Sequence, residues 1–140
     1  MLHTDTNQVG NWVYSKLGDS TWNPTGKVAF GAVDGNLRMQ WGVVYERFCG
    51  TSVYGHIVIE DPKGWTREAI RTCLHYPLVH LGVHKFLAEV NTSRPGAVSF
   101  LKRLGFVEEA RIEGVYTGGD LVIFSTTLAQ CKWLTEKDYG

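Results

Sequence analysis

The sequence predicts a mixed α/β chain (α+β) folded as one domain over residues 1–140, with helices flanking a mostly antiparallel sheet. Three observations lead there. The runs Lys27–Val33, Leu37–Arg47 and Ser52–Glu60 are rich in β-branched and aromatic residues and are separated only by short turns, as in a meander. Apolar residues at helical spacing occur before, between and after the strand-like runs. A last pair of runs, Val107–Tyr116 and Asp120–Leu128, flanks Thr117-Gly118-Gly119 as a hairpin would. Short turns make antiparallel neighbours, and the intervening helices form layers on the sheet.

Taken in order, Asp5 or Thr6 caps a first helix whose apolar stripe is Val9, Trp12, Val13 and Leu17, with Gly18 as its stop. Asp19–Gly26 reads as a loop. Asp34-Gly35 turns the first strand into the second, and Cys49-Gly50-Thr51 separates the second from the third. Asp61-Pro62-Lys63-Gly64 ends the third strand, and a helix is expected from about Trp65 to Leu81, kinked or ended by Pro77. Lys85–Val90 is a short strand. Ser93 is the expected cap of a helix Arg94–Leu104, with Pro95 in its first turn and Gly105 as its stop. Leu101, Leu104 and Phe106 are expected in the core, with Ala97 and Val98 packing the same helix onto the sheet.

Composition narrows the function classes. With 14 basic and 14 acidic residues the formal charge is zero, so no global field draws in nucleic acid or an anionic membrane. No apolar run approaches the ~20 residues of a membrane span. The start MLHTDTNQVGNW lacks a signal peptide's basic region and apolar core. Cys49, Cys73 and Cys131 form no CxxC pair, which suits partly buried thiols in a reducing cytoplasm. His75, His80 and His84 have no carboxylate at ligand spacing and read as surface residues, so no metal is expected.

The stretch Val90–Trp133 carries the most specific pattern: VNTSRPGAVSFLKRLGF, then VEEARIEGVYTGGDLVIFSTTLAQCKW. An extended segment, an amphipathic helix ending in Leu104-Gly105-Phe106 and a closing hairpin resemble the second half of the GCN5-related N-acetyltransferase (GNAT) superfamily. The element order makes the resemblance span nearly the whole chain. GVVYERFCGT, HYP, LGF, GGDL and CKWL further resemble short GNAT-like proteins of tailed bacteriophages. The resemblance implies acetyl transfer from acetyl-coenzyme A to an amine of a protein or small molecule, in a bacterial host cytoplasm. A second class is a GNAT-fold protein without catalysis that binds or builds, with a second copy or a phage structural protein as candidate partner. It also implies that the third and fourth strands run parallel and splay apart.

In the family a loop of the form Arg/Gln-x-x-Gly-x-Gly/Ala holds the cofactor pyrophosphate on backbone amides at a helix start. Asp61-Pro62-Lys63-Gly64-Trp65-Thr66 stands there, making Lys63, Gly64, Trp65, Thr66 and Arg67 the candidate cofactor residues. Asp61 departs from the pattern by placing an acid where a base or amide is usual, and Pro62 lacks an N–H. A competing reading is a simple strand end and helix start. The family's second cofactor contact is an Asn after the short strand, a position held here by Arg94 with Asn91 nearby. Arginine suits phosphate oxygens.

Aminolysis of a thioester needs a neutral, positioned amine. Glu60 and His56 share a strand face by alternation and are the candidate catalytic bases, with Glu46 on the neighbouring strand as a third. Each also reads as a polar residue on the outer face of an amphipathic strand. The family's proton donor is a tyrosine four residues ahead of the glycine of Leu-Gly-Phe; here that position is Leu101.

Overall fold

The computed structural model describes residues 2–18 and 21–139. Its elements are β1 (Leu2–His3), α1 (Thr6–Lys16), β2 (Val28–Val33), β3 (Met39–Glu46), β4 (Ser52–Ile59), α2 (Arg67–His75), β5 (Lys85–Asn91), α3 (Ala97–Leu104), β6 (Val107–Tyr116), β7 (Gly119–Thr126) and α4 (Glu136–Tyr139). All seven strands form one sheet in the order β1-β2-β3-β4-β5-β7-β6. Every neighbouring pair is antiparallel except β4 with β5.

Hydrophobic burial places the layers. Strand side chains alternate, so β3, β4, β5 and β7 send Trp41, Val43, Tyr45, Val53, Phe86, Ala88, Val90, Val122 and Phe124 to one face. There they meet Ile70, Cys73 and Leu74 of α2 and Leu101 and Leu104 of α3. On the other face α1 packs Val9, Val13 and Tyr14 against Ala29 and Val44. β3 therefore lies buried on both faces from Trp41 to Tyr45. Leu101, Leu104 and Phe106 are buried as the helix pattern predicts, with Ala97 and Val98 packed against the same core.

Several boundaries differ from the sequence expectation for identifiable reasons. The helix expected from Trp65 starts at Arg67, because the Thr66 hydroxyl caps it by accepting from the Ala69 amide at 3.1 Å. The preceding Pro62–Gly64 segment is a 3-10 turn. The α-helix ends at His75, and Tyr76–His80 continues as a π turn in which the Leu81 amide reaches the Tyr76 carbonyl at 2.9 Å. Pro77 lies within that turn, so the kink expected there is a change of helix type. Ser93 does not cap α3: its amide and hydroxyl both donate to Asn91 Oδ1, at 3.0 and 2.7 Å. α3 begins three residues later than expected, behind Gly96, whose φ of +79° disfavours other residues. Asp34-Gly35 opens a longer loop in which Asp34 Oδ1 accepts from Asn36 and Arg38, at 2.8 and 3.0 Å. Of the loop Asp19–Gly26, Asp19 and Ser20 lie outside the described residues. The short strand β1 and helix α4 had no sequence expectation.

The pairing of β4 with β5 sets up everything that follows. The ladder holds over Ser52↔Lys85, Val53↔Phe86 and Tyr54↔Leu87 only, although β4 runs on to Ile59 and β5 to Asn91. These are the parallel, splayed strands that the family resemblance implied. Gly55 is the first β4 residue beyond the ladder, and the Phe86 ring lies where its Cβ would be, with Cε1 2.4 Å from that position. Phe86 is fully buried between Tyr45 and Phe106, with ring centroids 5.7 and 5.5 Å away, so the ring has nowhere to retreat. Gly55→Ala is expected to destabilise the fold by about 1–3 kcal/mol, the usual cost of overpacking. Urea denaturation measures this, and an unchanged midpoint would show that the ring yields freely.

Candidate functional site

Where β4 and β5 part, a cleft of about 630 Å³ opens. Gly55, Ile57 and Ile59 of β4 form one wall and Ala88, Glu89, Val90 and Asn91 of β5 the other. The start of α3 adds Gly96, Ala97, Phe100 and Leu101, and the opposite sheet face adds Tyr14, Leu17 and His56. The β6–β7 hairpin contributes Tyr116. Leu101 is thus both a core residue, 6% exposed, and part of the cleft wall, which corrects its sequence assignment as core alone.

Of the sequence-predicted bases, His56 lines this cleft. Its Nε2 lies 2.9 Å from Glu46 Oε1, and the Tyr14 hydroxyl donates to Glu46 Oε2 at 2.5 Å. The pairing follows from register: His56 stands opposite Val44 on β3 and Glu46 opposite Tyr54, so both project to the α1 face, beside Tyr14. The His56 hydrogen bond, with help from Tyr14 and Arg47 and against partial burial, holds the Glu46 carboxyl at about 2 rather than 4.5. An ionised carboxylate only accepts, so the hydrogen of this bond sits on His56 Nε2, and in the neutral ring Nδ1 is then the nitrogen without a proton. Glu60 is placed differently. The Glu60 and Asp61 amides both donate to the Gln40 carbonyl, at 2.8 and 3.0 Å, which turns the chain out of β4. The Glu60 side chain is 54% exposed, pairs with Lys16 Nζ at 3.2 Å and does not line the cleft.

The candidate cofactor residues fall into two groups. Asn91 and Arg94 line the cleft. The Asn91 carboxamide oxygen holds Ser93, and Arg94 Nη2 donates to the Leu17 carbonyl at 2.7 Å, joining the end of α1 to the approach to α3. The segment before α2 forms the second group. Asp61 turns its carboxylate back into its own turn, accepting from the Lys63 amide at 3.0 Å, so it does not point an acid outward. A Cβ on Gly64 would lie 2.6 Å from Gln40 Cβ, so this glycine is needed for packing against β3. Trp65 stacks edge-on to Trp41 at 5.5 Å and contacts Phe100 at 6.0 Å, tying the α2 start to α3. Arg67 lies over the Trp133 ring at 5.7 Å and faces a second cavity of about 710 Å³ with Arg71, His75 and His80. Among the described residues no group of three His, Cys, Asp or Glu is arranged to hold a metal, and no helix is long and apolar enough to cross a membrane.

Sequence reasoning missed Tyr14 and Tyr116. Tyr14 was legible in part, since with Val9, Gly10 and Val13 it widens the buried stripe of α1. Tyr116 gave no signal, because only the closed sheet brings the hairpin to the cleft. Glu46 supplies a pH test. Its folded-state value lies below its ordinary 4.5, so the stability it contributes is complete above about pH 4.5 and is lost as pH falls towards about 2. Glu46→Gln should remove that part of the slope. Denaturation midpoints from pH 6 to about 2 check it, and parallel curves for the two proteins would contradict it.

No protein-family model matches the chain, and no curated protein matches it. Solved structures do. Spermidine N-acetyltransferase from Vibrio cholerae in complex with CoA and spermine superposes with a TM-score of 0.72 at 18% identity, covering 96% of this chain and 98% of that one. A SpeG chimera from Vibrio cholerae and hSSAT gives 0.71 at 20% identity, over 96% and 99%. A mutant of the Vibrio cholerae enzyme gives 0.64 at 25% identity, over 89% and 74%. The seven-stranded, mostly antiparallel sheet with its flanking helices is the GNAT fold.

Proposed function

We propose that the chain is an acetyl-coenzyme A-dependent N-acetyltransferase, with the thioester arm in the gap between β4 and β5 and His56 as the base towards an amine. The observation that carries this is the parting of the two strands after Tyr54 and Leu87, which leaves the His56 imidazole, held by Glu46 outside the lining, on the wall of a largely apolar cleft. The neighbouring structure with CoA and spermine supports the reaction class.

The residues fit such a group. Ile57, Ile59, Val90, Ala97 and Phe100 offer apolar walls to a pantetheine arm. Outside the cleft lining, the Arg67 and Glu68 amides at the start of α2, which have no intrahelical acceptor, suit a diphosphate together with Lys63 and the Arg67 side chain. Gly64 and Trp65 set that turn against β3 and α3, and a Cβ on Gly96 would meet nothing within 4 Å, which leaves the backbone there approachable. Asn91 and Arg94 add polar groups to the cleft lining. When bound, acetyl-coenzyme A supplies the acetyl group in activated form as a thioester.

His56 Nδ1 takes the amine proton, directly or through one water, and so frees the nitrogen lone pair for attack. Glu46 fixes the imidazole tautomer and stabilises its protonated form, as the acid of a triad does. Tyr14 secures the second Glu46 oxygen. Leu101 offers no acid at the family's tyrosine position, so the thiol is expected to take its proton from solvent, which a thiol pKa of about 8.5 allows.

His56→Gln is expected to lower kcat by about 10²–10⁴-fold while leaving acetyl-coenzyme A binding unchanged. Steady-state kinetics with an amine acceptor measures it. A loss in Glu60→Gln with none in His56→Gln would reverse the assignment. The second reading, a non-catalytic GNAT-fold component of a bacteriophage, is favoured by Leu101 and by Pro62 in the loop. Calorimetric titration separates the two, since that reading predicts no acetyl-coenzyme A binding.

A further inference from the structure

We infer, on the acetyltransferase reading, that the acceptor is a primary monoamine with an apolar or aromatic body and not a polyamine. Two independent features point there, and the first is charge. Among the described residues, Glu89 and Arg94 are the formally charged ones lining the cleft, so that described lining has no net charge. Each described carboxylate at or beside the cleft already has an internal partner. Glu46 is held by His56 and Tyr14 and lies 3.6 Å from Arg47 Nε. Glu89 lies 2.7 Å from Arg47 Nη1, and Glu60 lies 3.2 Å from Lys16 Nζ. A polyamine would surrender the hydration of several ammonium groups and meet carboxylates whose charge is already spent.

The second feature is aromatic. An electron-rich ring face can hold an ammonium. Of the rings lining the cleft, Tyr14 is already approached by the chain's own cation: Lys27 Nζ lies 5.8 Å from its centre and 5.7 Å from that of Trp22, outside the lining. Arg47 covers Tyr54 at 3.8 Å. Beside the walls offered to the pantetheine arm, the cleft leaves unspent one base, His56, and apolar surface from Leu17 and Tyr116. That set matches one amine on an apolar body. In the transfer an N–C bond to the acetyl carbon forms and the thioester C–S bond breaks. The C–S electron pair leaves with sulfur as the thiolate, which takes a proton from solvent, and the amine proton passes to His56 and on to the medium.

The test compares phenethylamine with spermidine as acceptors at saturating acetyl-coenzyme A, after calorimetry has established cofactor binding. Phenethylamine is expected to exceed spermidine in kcat/KM by about tenfold or more, within the range an apolar pocket discriminates. Arg47→Ala, with Arg47→Gln as the variant that keeps more of the stem, uncovers Glu46 and Glu89 and should shift the ratio towards spermidine. Equal or better use of spermidine by the unmodified protein overturns the inference and leaves the acetyltransferase reading intact. Acetylation of neither amine by cofactor-loaded protein, or an unchanged ratio in both Arg47 variants, also overturns it. Absence of cofactor binding overturns the acetyltransferase reading itself.

Discussion

The ladder between β4 and β5 ends at Tyr54 and Leu87, and the rest of the molecule depends on that break. Backbone amides and carbonyls beyond it no longer pair across the two strands, and space opens between them. The Phe86 ring occupies the position that a side chain on Gly55 would need, at the residue where pairing stops. The surrounding core gives that ring no alternative: Tyr45 and Phe106 pack against it, and the Tyr45 hydroxyl is itself anchored to the Cys73 carbonyl at 2.6 Å. α2 and the π turn after it carry the chain from the far end of β4 to the start of β5, so the crossover and the break belong to one arrangement.

The polar chemistry of the cleft is closed on itself. Tyr14 comes from α1, Glu46 from β3 and His56 from β4, so three elements meet at one carboxylate. That carboxylate remains ionised because its two oxygens accept from neighbours, and partial burial works against this without reversing it. The positive charges of Lys16, Lys27 and Arg47 are likewise committed to carboxylates or ring faces. The same closure that orients the imidazole also commits the described carboxylates around it, so on the proposed reading catalysis and selectivity would draw on one set of contacts.

Much of the architecture was legible in the sequence because it rests on local patterns. The alternating runs of β2 to β4, the stripe of α3 and its stop at Gly105 depend on residues close in the chain. Boundaries failed where one side chain chose between two backbone partners. The Thr66 hydroxyl took the cap of α2, and the Ser93 hydroxyl went to Asn91 instead of α3. Glu60 shares its strand parity with His56, yet the turn fixed by the Gln40 carbonyl carries it out of β4 to Lys16. The contacts of Tyr14 and Tyr116 with the cleft are set by tertiary placement, and no local pattern encodes them. Gly64 fitted a phosphate-binding motif in sequence, while its neighbours in space give it a packing reason as well.

The central claim is that the gap between β4 and β5 receives acetyl-coenzyme A, and a titration followed by backbone amide NMR tests it most directly. Saturable shifts should concentrate at Gly55–Ile59, Ala88–Asn91, Gly96–Leu101 and the first turn of α2. Absence of saturable shifts, or shifts confined to the second cavity around Arg71, His75 and His80, would contradict it.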